Sequence, residues 1–128
     1  MNQSKKSLLY VEDDVFVRDI ICSFIALRYP AVSIDSAGSA DEGVELFVKK
    51  RHTVVMTDVN LDNSNGVAMA RAIRNDVPET IIIFITGSSN VEQLAEFEKA
   101  GSSSVIIKPV YCDALFGILD QYFVRTTS

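Results

Sequence analysis

What most constrains this chain is an alternation: a short apolar run, then a longer stretch with helical period, repeated five times. The runs are residues 8–11, 32–34, 54–57, 81–85 and 105–107. They are too short for helices, and their Val, Ile and Leu content suits strands. Strands that alternate with helices make a parallel sheet with helices on both faces. The unbroken apolar run 81–85 fits a strand buried on both sides. Right-handed crossovers leave few arrangements. The predicted fold is α/β, a doubly wound five-stranded parallel sheet with strand order 2-1-3-4-5.

The stretches between the runs carry helix signals. After the first run Asp14 is a capping residue, and Phe16, Ile20, Phe24 and Leu27 form one apolar stripe with Ile21 and Ile25 beside it. After the second, Ser39 and Glu42 have the spacing of a capping box, followed by Ala40, Val44, Phe47 and Val48 at helical intervals. After the third, Gly66 opens a helix with Val67, Ala70 and Ile73 inward, and Pro78 marks its end. After the fourth, Asn90 is an N-cap, Val91, Leu94 and Ala95 face in, and Gly101 is the stop. The last stripe is Leu115, Ile118, Leu119 and Tyr122. No repeat or linker interrupts the pattern, so residues 1–128 are expected to form one domain, with a core of about 7–124.

Four of the five runs end in a group suited to phosphoryl chemistry. The first leads into Glu12 and Asp13, the third into Asp58, the fourth into Thr86 and the fifth into Lys108 and Pro109. In a parallel sheet these ends share one edge, and ligands bind there where the strand order reverses, between strands 1 and 3. An all-oxygen donor set suits Mg²⁺. Asp13 and Asp58 are direct ligands, Glu12 acts directly or through a water, and a backbone carbonyl after Asp58 could complete the set. Without a cation such close carboxylates repel, and at least one pKa should rise. Asp58 is the expected nucleophile, forming an acyl phosphate. Lys108 and the Thr86 hydroxyl would neutralise and bind the phosphoryl oxygens, and Gly87 leaves room for them. Singly, each residue reads as a turn, cap or strand end; together, at successive strand ends, they read as a site.

On these motifs the whole chain resembles the receiver domains of two-component response regulators, which have the flavodoxin-like (βα)5 fold. The acidic pair Glu12 and Asp13, the acceptor Asp58, the switch hydroxyl Thr86, the pair Lys108 and Pro109, and the 60–66 loop ending in Gly66 stand in the family's order. The resemblance implies a phosphorylation-dependent signalling switch. Asp58 would take phosphoryl from a phosphohistidine of a sensor histidine kinase or a phosphotransfer protein, with Mg²⁺ as cofactor. Asn60 would supply the metal-binding carbonyl, and the peptide between Lys108 and Pro109 would be cis. The response would alter the face made by helix 4, strand 5 and helix 5, controlling a downstream protein, an output domain or a homodimer. Such a chain catalyses its own phosphorylation and dephosphorylation and turns over no external metabolite.

Four positions depart from the family pattern or modulate it. Val105 stands where an aromatic residue is common, and its stiff rotor has no ring to swing, so the signal is expected to pass through the 86–90 loop and helix 4. Asp62 replaces a frequent proline, which makes its loop more acidic and mobile. Asn60 and Ser88 stand where the family tunes phosphoryl lifetime. Phe97, Phe116 and Phe123 lie off their helical stripes, which is either ragged packing or a partner surface.

The rival readings are an aspartyl-nucleophile phosphohydrolase, a flavodoxin-like cofactor binder and an inactive receiver scaffold. The first wants an acid two residues after the nucleophile, where this chain has Asn60. The second wants a phosphate cradle after strand 1, where Glu12, Asp13 and Asp14 would repel phosphate. The intact site argues against the third. A net charge of −5 without a basic cluster argues against direct nucleic-acid binding. No apolar stretch has membrane-span length and no signal peptide is present, so a cytoplasmic location without membrane contact is expected. Cys22 and Cys112 read as buried inert thiols and His52 as a solvated loop residue. A stand-alone receiver and the N-terminal receiver of a longer regulator are equally compatible with the sequence.

Overall fold

A computed structural model describes residues 6–61, 64–87 and 90–124. Its main strands are β1 (Ser7–Val11), β2 (Ser33–Ala37), β3 (Val54–Asp58), β6 (Ile81–Thr86) and β7 (Ser104–Ile107). A short antiparallel pair, β4 (Asn60–Leu61) and β5 (Ser64–Asn65), sits between β3 and the third helix. The helices are α1 (Val15–Arg28), α2 (Ala40–Lys50), α3 (Gly66–Asp76), α4 (Val91–Lys99) and α5 (Cys112–Phe123).

The main strands form one five-stranded sheet in the order β2-β1-β3-β6-β7, every neighbouring pair parallel. Counted within the sheet alone, this is the predicted order 2-1-3-4-5. Successive side chains on a strand point to opposite faces, so the sheet divides the core in two. Leu9, Val11, Val55, Ile82 and Phe84 pack against α2, α3 and α4. Leu8, Tyr10, Met56, Ile83 and Ile85 pack against α1 and α5. The small β4–β5 pair was not expected from the sequence, being only two residues a side.

The caps follow the sequence closely. Asp14 accepts the N–H groups of Phe16 and Val17, Ser39 that of Glu42, and Asn90 those of Glu92 and Gln93. The Glu42 side chain reaches back to the Gly38 N–H. Asn65 caps α3, and Gly101 takes the left-handed conformation (φ 94°) that ends α4.

Several helix faces differ from expectation. In α1 the stripe Phe16, Ile20, Phe24 and Leu27 lies on the solvent side, with Phe16 and Leu27 each 81% exposed. Ile21, Ile25 and the following Tyr29 carry the burial instead. Arg18, on the same side of the helix, donates its guanidinium to the Glu12 carbonyl at 2.9 Å, a bond compatible with this rotation. In α4 Val91 is 80% exposed, Ala95 is exposed, and Phe97 is the buried anchor against Phe84, ring centroids 5.2 Å apart. Val48 of α2 is exposed. Phe116 and Phe123 of α5 are half-buried and pack edge-on against Tyr29, so they tie α5 to α1. Arg28 and the Tyr29 hydroxyl both bond Asp120, completing that tie.

The side-chain expectations for two residue types also change. Cys22 is half-buried and Cys112 is exposed at the start of α5. His52 is buried, 2% exposed, because its Nε2 bonds Asp35 of β2 at 2.7 Å and its ring stacks on Phe47. Asp35 also receives Lys50; against the upward pull of burial, His52 and Lys50 hold its carboxyl below the usual range.

Candidate functional site

The carboxyl ends of β1 and β3 are adjacent in the sheet, and the chain reverses its lateral direction between them. A cleft at this edge is lined by Glu12, Asp13, Asp58, Asn60, Gly87 and Lys108, with α1 residues forming one wall. The strand register explains the convergence. Val11 pairs with Thr57, so the next residues on both strands, Glu12 and Asp58, leave the sheet side by side. Asp58 pairs with Ile85, and Ile107 pairs with Thr86, so Lys108 enters from the far strand of the same edge.

Glu12 and Asp58 are almost fully buried, while Asp13 is half-buried. Each of the three offers a carboxylate oxygen within 4.8 Å of the others. Glu12 Oε2 accepts the Asp14 N–H at 3.1 Å. Asp58 Oδ1 accepts the Asn60 N–H at 3.0 Å, and Asp58 Oδ2 accepts the Lys108 ammonium. The Lys108–Pro109 peptide is cis. Gly66 approaches so closely that a Cβ there would lie 2.1 Å from the Asp58 carbonyl oxygen.

The electrostatics carry the mark of crowded acids. Burial pushes the Glu12 carboxyl up, the Asp14 N–H works against it, and Asp13 and Asp58 push it up further. Mutual repulsion was the expected cause; burial is the larger one. Burial acts to lower the Lys108 pKa, but the hydrogen bond and charge of Asp58, then the charges of Glu12 and Asp13, raise it. A buried all-oxygen cluster that is electrostatically strained by itself fits a hard divalent cation, so the residues present suit Mg²⁺.

Thr86 is the one predicted site residue that does not line this cleft. It is buried and borders a neighbouring groove with Asn60, Gly87 and Phe97. It lies two residues after Phe84 and therefore on the α4 side of β6. A methyl at Gly87 would meet nothing within 4 Å, so that glycine is not needed for packing. Asp62 and Ser88 lie outside the described residues. Val105 is half-buried, paired in register with Phe84. Tyr10 is a site neighbour that the sequence reading missed: its hydroxyl lies 3.5 Å from Glu12 Oε1. Its place two residues before Glu12, on the same strand face, was the available signal.

The family model "Response regulator receiver domain" matches residues 8–120. The chain is 25% identical over 122 residues to the probable C4-dicarboxylate response regulator DctR of Priestia megaterium, covering 95% of this chain and 54% of that protein. It is 30% identical over 111 residues to the transcriptional regulatory protein CitT of Bacillus subtilis, covering 87% of this chain and 49% of that protein. It thus spans about half the length of these relatives. Among solved structures, a CheY-like receiver domain protein from Methanospirillum hungatei superimposes with a TM-score of 0.85 at 22% identity, covering 94% of each chain. CheY4 of Vibrio cholerae gives 0.82 at 22% identity, covering 92% of this chain and 98% of that one. The structural matches speak to the fold. Among the described residues, no helix is long and apolar enough to cross a membrane.

Proposed function

We propose that this chain, which belongs to the response regulator receiver domain family, is a switch in which Asp58 accepts a phosphoryl group from a phosphohistidine of a sensor histidine kinase or phosphotransfer protein. Receiver domains are signalling domains rather than enzymes of external metabolites. The observation that carries the reading is the meeting of Glu12, Asp13, Asp58 and Lys108 in one cleft at the reversal of the sheet.

Glu12, Asp13 and Asp58, with the Asn60 carbonyl, would hold Mg²⁺. When bound, the ion supplies positive charge to the non-bridging phosphoryl oxygens. A carboxylate oxygen of Asp58 attacks phosphorus and the P–N bond to the donor imidazole breaks. The bonding pair stays on that nitrogen. Asn60, through its N–H, fixes the carboxylate direction. Lys108 already sits on Asp58 and passes to a phosphoryl oxygen as charge moves outward. Thr86, on the α4 side of β6, would turn its hydroxyl to the new group and so couple the site to α4.

Two surfaces fit the partners. The exposed apolar stripe of α1 begins beside the cleft, since Asp14 and Val17 line it, and offers a docking face for the phosphodonor. Phe97, Phe116 and Phe123 are spent on internal packing, so they no longer argue for a face on α4, β7 and α5. Val91, Ile107 and Tyr111 are exposed there instead, and this is the surface proposed to contact an output partner or a second copy. The domain assignment to residues 1–128, the absence of direct nucleic-acid contact and the cytoplasmic location belong to the same proposal.

The test is transfer from a phosphorylated histidine kinase. Wild-type protein should take the label and Asp58→Asn should not. Ile20→Asp should slow transfer from the kinase while leaving uptake from acetyl phosphate unchanged. Label retained on Asp58→Asn would overturn the acceptor assignment.

A further inference from the structure

Tyr10 lies within β1, fully buried in the cluster that also holds Ile21, Met56 and Ile83. A phenylalanine would fill this apolar position as well, and a buried phenol needs a partner for its hydroxyl. Among the described residues the group it faces is Glu12 Oε1, at 3.5 Å, longer than the roughly 2.5–3.0 Å of an ordinary O–H···O bond. The other carboxylate oxygen, Oε2, accepts the Asp14 N–H at 3.1 Å. Glu12 is therefore bonded at Oε2 and faced by a phenol hydroxyl at Oε1.

Glu12 needs holding more than its neighbours do. It has one methylene and one free torsion more than Asp13 or Asp58, and a long carboxylate side chain loses more rotamer freedom when fixed. A glutamate at the end of β1 could swing its charge away from the cluster. Groups behind a metal ligand that fix its orientation govern metal affinity nearly as much as the ligand does.

We propose that Tyr10 is a positioning residue for the divalent-cation site: its hydroxyl donates to Glu12 Oε1 and aims that carboxylate at Asp13 and Asp58. The proposal rests on the metal site of the reading above. It assigns Tyr10 no contact with the cation or the phosphoryl group.

The test is a double-mutant cycle on the Mg²⁺ dissociation constant, measured by calorimetry on unphosphorylated protein. Tyr10→Phe should weaken Mg²⁺ about tenfold, the lower end of the 10–100-fold that such supporting groups contribute. In the Glu12→Asp background the shorter side chain withdraws from the hydroxyl, and adding Tyr10→Phe should change the constant less than about twofold. Ile83→Val trims the same core without touching a polar group and should keep the wild-type constant. An unchanged or tighter constant in Tyr10→Phe overturns the proposal. So does an equal loss in both backgrounds, or a tenfold loss in Ile83→Val, either of which would make the effect one of packing. Wild-type protein that binds no Mg²⁺ sinks the metal site and this proposal together; wild-type binding with Tyr10→Phe unchanged sinks this proposal alone.

Discussion

Replacing Gly66 by alanine tests how the loop after β3 holds the acceptor. The new methyl would stand 2.1 Å from the Asp58 carbonyl oxygen and 3.1 Å from the Thr57 hydroxyl, where real Cβ contacts essentially never fall below 3.0 Å. Backbone faces it on the near side, so no flexible side chain can yield. The two chain segments must part by about 1 Å, a distortion of the kind that overpacking costs at about 1–3 kcal/mol. The Gly66 N–H donates to the Val59 carbonyl at 3.2 Å, and the same movement stretches that bond out of range. Its loss adds about 1 kcal/mol. A displacement of about 1 Å at a reacting group lowers rate by roughly 10²-fold. Gly66→Ala should therefore lose about 2–4 kcal/mol in urea denaturation. Its rate of phosphorylation by acetyl phosphate and Mg²⁺ should fall by roughly two orders of magnitude. Gly87→Ala, with open space around its Cβ, should stay within about 0.5 kcal/mol of wild type. A Gly66→Ala protein within about 0.5 kcal/mol and threefold in rate would refute the reasoning, because the contact would then be one the backbone relieves freely.

Other consequences follow from the packing and charges. Phe97→Ala should destabilise the fold by about 3–5 kcal/mol, since Phe97 and not Val91 anchors α4; denaturant midpoints decide it, with Val91→Ala as the near-neutral comparison. Asp120 is held at about 2, below the ordinary 3.8, chiefly by Arg28 and then by Tyr29. Its depressed pKa stabilises the native state fully above pH about 4, and the benefit fades as pH falls through about 2. The midpoint gap between wild type and Asp120→Asn should thus close over that range, and a gap independent of pH would remove the ionic explanation. If α4 carries the signal past Val105, adding a phosphoryl mimic should shift amides across Val91–Lys99, and silence there would end that account.

Four of the main strands were legible as apolar runs, whereas β2, Ser33–Ala37, carries only the short run 32–34; α1 to α4 each have a side-chain N-cap, and α5 has none. The site was legible because chemistry sits at strand ends, whose common edge follows from topology alone. What the sequence could not decide was which of two adjacent apolar stripes on α1 faces inward. The inward side is the one carrying Ile21, Ile25 and Tyr29, where Arg18 also bonds the Glu12 carbonyl, and a side-chain bond of that kind leaves no trace in periodicity. In α4 the inward line runs Leu94, Phe97, Ala100 at threefold spacing, whereas Val91 belongs to the first turn just after the cap and is left in solvent. His52 was misread because its partner, Asp35, comes from β2, which does not adjoin the strand β3 that His52 precedes. Thr86 was placed at the right edge, but strand alternation sends it to the α4 side of the sheet.

The most direct test of the central claim is intact mass after incubation with acetyl phosphate and Mg²⁺, beside Asp58→Asn and EDTA controls. The account predicts one adduct of about 80 Da on the wild type, absent from both controls. An adduct that persists in Asp58→Asn or in EDTA would contradict it, as would a wild-type protein that takes up no phosphoryl from either acetyl phosphate or a histidine kinase.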